Sequence, residues 1–174
     1  MWLTVTSTIL MMSILPIDSF QSPCSGVKNG VLTLKGEEVG QLEAYCDCSL
    51  ERLELKKALF IDFPACFENR EVSSLSVENI DLAGFPRGIL KLRDLQELSF
   101  KNTGLSFLPK GIARLRSLRT LDLRGTDINA LPEGLDHLEK IDLRLTEINK
   151  SDQEAIRAQY PQTKIFFSSP CNCN

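Results

Sequence analysis

Six cysteines and a single histidine are the side chains best suited to covalent or metal chemistry in this chain. Cys24, Cys46, Cys48 and Cys66 lie early, Cys171 and Cys173 lie at the extreme end, and none lies between. A Cys-x-Cys pair can ligate zinc, but a closed tetrahedral site takes four N or S ligands, and the lone His137 does little to complete one. Nucleophilic catalysis needs a thiol or hydroxyl beside a base. Cys48 or Cys66 would have to meet His137 across several sequence units, and His137 falls in a variable stretch where simple exposure is expected. No phosphate-cradling glycine loop and no metalloprotease spacing occurs. The expectation is therefore a non-enzyme with no catalytic residue, no metal ligand and no cofactor. Ionic recognition is better supplied. Ser99 with Lys101, Asp122 with Arg124, and Asp142 with Arg144 recur as pairs two residues apart, a pattern suited to docking an oppositely charged surface.

The amino end points to an oxidising destination. Residues 1–22 carry no charge before Asp18, and their apolar run from about Leu3 to Leu15 stops at Pro16, which reads as a secretory signal. No Lys or Arg precedes that run, and it is shorter than the ~20 residues that span hydrocarbon. The expectation is a secreted or cell-surface protein with no membrane span once the signal is removed. Pro23 immediately before Cys24 argues against lipid attachment there. Secreted chains favour disulfides, so the four early cysteines are expected to staple a cap over residues 23–52. Cys46 and Cys66 sit at similar offsets after short strand-like runs. That favours Cys46–Cys66 with Cys24–Cys48, one of the three connectivities four cysteines allow. Cys171 and Cys173 lie too far along to join them; they could pair with each other, cross-link two chains into a homo-oligomer, or hold a metal. The balance of 20 basic against 23 acidic residues provides no global field for nucleic acid or a membrane surface.

What must position these side chains is a recurring unit. From Leu98 to Leu121 the chain reads LSFKNTGLSFLPKGIARLRSLRTL: spacing of two, then of three to four. That predicts a short strand followed by a helical or 3₁₀ return. Leu53, Leu75, Leu98, Leu121 and Ile141 start equivalent units over residues 53–149. Leu98, Phe100, Thr103, Leu105, Leu108 and Pro109 match Leu121, Leu123, Thr126, Ile128, Leu131 and Pro132; Phe60 takes the Leu105 position in the Leu53 unit. A strand with such a return cannot bury its apolar edge alone, so the units must stack. Leu32, Leu34, Val39 and Leu42 fall at repeat-like offsets and suggest a degenerate first turn. Gly88, Gly111 and Gly134 each follow a turn-forming proline by two residues, where they permit a tight start to the return. The Leu121 unit is three residues shorter, so its return should be a tight turn. Residues 150–174 should form a closing cap and the Cys-x-Cys tail. Ser151 and Glu154 have the capping-box spacing of a helix start, and Lys164–Phe167 reads as a last strand with Ile165 and Phe167 inward.

The stretch LSFLPKGIARLRSLRTLDLRGTDINALPEGL resembles the leucine-rich repeat family in its short form of about 23 residues. The LxxLPxxIxxLxxLxxLxL pattern is similar to that of secreted or surface bacterial repeat proteins. Thr103, Thr126 and Thr146 stand where such repeats usually carry asparagine. The resemblance implies an α/β solenoid: a curved right-handed stack with a parallel sheet on its concave face and 3₁₀, helical or turn segments on the convex face. It further implies a protein partner, one from a host among the candidates, engaged by the concave face. If bacterial, the protein would be periplasmic or on the outer surface. The outward residues there are Glu54, Ser76, Ser99, Asp122 and Asp142, with Lys56, Glu78, Lys101, Arg124 and Arg144 two positions on. The alternative is an assembly role, with copies joined through terminal cysteines or cap edges. A second alternative for the charges themselves is a solvated ladder of self-neutralising pairs.

Overall fold

A computed structural model describes residues 23–58, 63–64, 66–67 and 71–169. Residues 1–22, where a secretory signal is expected, Phe60, and the tail with Cys171 and Cys173 lie outside the described residues. Seven strands form one sheet: β1 Val31–Lys35, β2 Arg52–Lys56, β3 Ser74–Glu78, β4 Glu97–Lys101, β5 Thr120–Asp122, β6 Lys140–Leu143 and β7 Lys164–Phe167. They are parallel and adjacent in sequence order. The first inward residue of every strand falls in one row: Leu32, Leu53, Leu75, Leu98, Leu121, Ile141 and Ile165 pair in register. Leu34, Leu55, Val77, Phe100, Leu123 and Leu143 form a second buried row. A slip of one residue would turn both rows to solvent, so alternation fixes the register.

The returns complete the core. In the two regular units they are 3₁₀ segments, Arg87–Lys91 and Lys110–Arg114. Pro86 and Pro109 enter them with extended backbone, φ −67° and −70°, the torsion their rings impose. Ile89, Leu92, Leu95, Ile112, Leu115 and Leu118 are buried behind the sheet. The short Leu121 unit makes a turn instead, closed by Leu138 N–H donating to the Leu135 carbonyl at 3.0 Å. The glycines of the returns have a different reason from the one their spacing suggests. Of Gly88, Gly111 and Gly134, only Gly134 has positive φ, at 85°. Gly88 is required by contact: a β-carbon there would sit 2.6 Å from Phe63 Cβ and 2.8 Å from the Phe63 carbonyl oxygen.

At the amino end β1 is a full member of the stack, and the following 3₁₀ segment Gly36–Tyr45 buries Val39 and Leu42. Cys24–Cys48 and Cys46–Cys66 are bonded, with Cα separations of 5.3 and 5.6 Å. At the other end helix α1, Lys150–Gln159, crosses from β6 to β7 and buries Ile156. Its cap is not Ser151. Asn149 accepts from Asp152 N–H at 3.0 Å and its amide donates to the Asp152 carboxylate at 2.7 Å. The helix therefore starts at Lys150, one residue before Ser151 could cap it. Tyr160 ends it, donating its hydroxyl proton to the Pro132 carbonyl. Burial and the nearby Asp136 carboxylate hold the Tyr160 phenol above its ordinary pKa. On β7, Ile165 is buried, Phe167 is half-buried beneath Arg157, and Phe166 faces out.

Candidate functional site

The outward face of the sheet collects the charged pairs. Register places Glu54, Ser76, Ser99, Asp122 and Asp142 in one row across β2 to β6. Two residues further on, Lys56, Glu78, Lys101, Arg124 and Arg144 lie alongside. Rows of neighbouring strands are ~4.8 Å apart, so each charge meets the next strand as well as its own. Lys56 Nζ lies 3.0 Å from Glu54 and 3.7 Å from Glu78. Lys101 reaches Asp122 at 3.7 Å, and Arg124 binds Asp122 at 2.8 Å and approaches Asp142 at 3.7 Å. Arg144 closes the series with two bonds to Asp142, 2.9 Å from Nε and 2.7 Å from Nη2. The structure thus brings Ser99, Lys101, Asp122, Arg124, Asp142 and Arg144 onto a single patch.

Its pairs are not the evenly solvated ladder that alternation suggests. The Asp142 side chain is 4 % exposed and Asp122 16 %, against 48 % for Arg144 and 34 % for Arg124. Each arginine folds back and binds, edge-on through Nε and Nη2, the carboxylate two residues before it, leaving the acid the less exposed partner. Burial alone would disfavour the charged Asp142. Hydrogen bonds from the side chain and backbone of Arg144 outweigh that and hold its carboxyl below the ordinary value. Glu54 is lowered likewise, chiefly by the hydrogen bond from Lys56. Next to this patch the small side chains of Ser76 and Ser99 leave a shallow depression of about 270 Å³. The Ser99 hydroxyl is buried at its edge with no hydrogen-bond partner among the described residues.

A second feature of this face was invisible in the residue pattern. The residue leaving each strand from β1 to β6 is left-handed: Gly36, Lys57, Asn79, Asn102, Gly125 and Leu145 have φ between 50° and 66°. Each N–H from Lys57 to Gly125 donates to the carbonyl of the next strand's last outward residue, as Asn102 does to Arg124 at 2.9 Å. Asparagine therefore does serve this stack, one position before the threonines; Asn102 Nδ2 donates to Asn79 Oδ1 at 3.2 Å. The threonines behave unequally. Thr126 and Thr146 donate to the Leu123 and Leu143 carbonyls at 2.7 and 2.6 Å, whereas buried Thr103 Oγ1 has no partner among the described residues. Leu145 is the misfit of the left-handed column. Its β-carbon meets the left-handed penalty of roughly 1–2 kcal/mol, and a side chain 72 % exposed recovers none of it by burial.

His137 is half-buried rather than exposed, because its Nε2 donates to the Leu115 carbonyl of the preceding unit at 3.0 Å. A carbonyl can only accept, so the proton is on Nε2. Among the described residues no group of His, Cys, Asp and Glu is arranged to hold a metal ion, and no helix is long and apolar enough to cross a membrane.

No family model and no curated protein matches the sequence. Among solved structures the chain is similar to a leucine-rich repeat protein of Leptospira interrogans, with 26% identity and a TM-score of 0.61. The match covers 78% of this chain and 34% of that one, so the chain spans about a third of that protein's length. Register, returns and likeness agree on the class: the fold is a leucine-rich repeat solenoid. Solenoids of this class are in general non-enzymatic scaffolds whose extended faces bind other proteins, and the two disulfides suit an oxidising environment.

Proposed function

We propose that the chain is a secreted or surface-exposed, non-enzymatic module that binds a protein partner through the outward face of its sheet. Ser99, Lys101, Asp122, Arg124, Asp142 and Arg144 are its contact residues. The observation that carries this reading is the geometry of the charged ladder. Five neighbouring strands hold ionised side chains in fixed rows by reciprocal bonds, so the ordering entropy of those side chains is spent before a partner arrives. The Cys24–Cys48 and Cys46–Cys66 bonds support the extracellular setting.

The test uses the mature protein as bait in its natural environment, with an Arg124→Gln, Arg144→Gln double variant as control. Glutamine is chosen over a reversed charge because Glu beside the buried Asp142 would threaten the fold itself. Captured proteins are identified and their affinities remeasured with purified components. The double variant should melt as a folded protein yet bind its partner more weakly. Equal affinity for both baits would refute the face as the contact surface. A bait that captures only further copies of itself would favour the assembly role instead.

A further inference from the structure

Resting on the proposed use of this face, we infer that its partner presents an acidic segment carrying a bulky apolar side chain, and that exposed Leu145 is the anchor for that side chain. The sign follows from depth. By formal count Asp122, Arg124, Asp142 and Arg144 cancel, but a partner does not touch formal charges. It touches what is accessible, and each arginine is more exposed than its own carboxylate, 34 % against 16 % for Arg124 and 48 % against 4 % for Arg144. Arg124 and Arg144 each bind their own aspartate through Nε and Nη2. A guanidinium has five N–H donors, so the outer edge of each fork still presents N–H groups. With Lys101 Nζ on the next strand, three cations line the accessible layer. A carboxylate fits those donors by charge-assisted bonds, whereas a basic segment would meet like charge.

The apolar half follows from Leu145. Every other residue of the left-handed column is Asn, Gly or Lys. The Leu145 N–H donates to Ser168 Oγ at 2.7 Å, so the strained backbone is held in place while the residue next to Arg144 stays exposed. On the neighbouring strand Phe166 is 43 % exposed, in register with Asp142, with Lys140 Nζ 5.3 Å from its ring centre. Arg144 is thus flanked by two exposed apolar side chains. Backbone strain maintained without burial is the kind of outlier that marks a contact residue. Arginine is enriched among the residues that carry interface energy, and an exposed apolar residue beside it adds area that a partner can bury.

Random peptides displayed on phage would be selected on the immobilised chain, then compared on the Arg124→Gln, Arg144→Gln variant and on Leu145→Asn. Asparagine tolerates the left-handed backbone, so Leu145→Asn should melt no lower than the parent, and any loss of binding reports the side chain. Peptides that depend on the arginine pair should be rich in Asp and Glu beside a Leu, Ile, Met or Phe. They should also lose about tenfold in affinity on Leu145→Asn, equivalent to about 1.4 kcal/mol. Arginine-dependent peptides that are neutral or basic, or that bind Leu145→Asn as tightly as the parent, would overturn this inference while leaving the face reading intact. If no selected peptide responds to the arginine pair, both are overturned.

Discussion

Replacing glycines of the returns by alanine should grade stability by the room each β-carbon finds. At Gly88 the new carbon would lie 2.6 Å from Phe63 Cβ and 2.8 Å from the Phe63 carbonyl oxygen. Carbon atoms pack at ~3.5–4.0 Å, so the overlap approaches ~1 Å, and neither atom can rotate away. The second and third units must separate on their return side or the 3₁₀ segment must shift. Overpacking of this severity costs about 1–3 kcal/mol. At Gly111 the nearest atom, Leu90 Cδ1 at 3.0 Å, ends a flexible, partly buried side chain, and the cost should be under ~1 kcal/mol since such a chain repacks. At Gly40, within the 3₁₀ segment after β1, nothing lies within 4 Å. Gly40→Ala should be neutral or stabilising by ~0.4–1 kcal/mol through the unfolded chain. Urea unfolding of the three variants, with slopes unchanged, measures the order directly. Gly88→Ala unfolding together with Gly40→Ala would refute the claim that stacked returns touch through their glycines.

Two further outcomes test the buried polar groups. Thr126→Val should lose about 1 kcal/mol by deleting a buried hydrogen bond, while Thr103→Val should be neutral or stabilising because its hydroxyl has no partner among the described residues; equal denaturation midpoints would contradict the difference. Asp142 and Glu54 have folded pKa values below their ordinary ones. Their stabilisation is therefore complete above the unfolded values of about 3.9 and 4.3 and is lost as pH falls through the folded values. Tm should decline below about pH 4, less steeply in Asp142→Asn, and superimposable pH profiles for parent and variant would be the contrary result.

The rows of Leu and Ile made the stack legible, because a period of about 23 residues carrying six matched positions leaves one way to hide the apolar edge. Even the first turn shows in Leu32, Leu34, Val39 and Leu42. Local exceptions were harder to read. Alternation assigns Asp142 to solvent, and only the reach of Arg144 across it turns an outward residue into a buried one. Asn79 and Asn102 act through a ladder to the next strand, which no single unit reveals. Asn149 outcompetes Ser151 for the helix start because Asp152 supplies it both an N–H and a carboxylate. His137 is drawn inward by a carbonyl of the preceding unit. For the asparagines and His137 the deciding partner lies about one unit away in the chain; for Asp142 and Asn149 it lies two or three residues away and acts through a side-chain conformation that alternation does not encode.

The shared register of the seven strands has a consequence for how such a chain can change length. Because every unit offers its successor the same two inward rows and the same left-handed exit, a unit is also a measure: each one added advances the sheet by ~4.8 Å. Duplicating residues 98–120 in frame would set Leu98 of the first copy beside Leu98 of the second, a pairing equivalent to the Leu98–Leu121 contact already present. The stack can thus be lengthened or shortened in whole steps with both ends unaltered. The outward charges of the sheet would move apart by a known distance, so the span of that face becomes a quantity set by counting repeats.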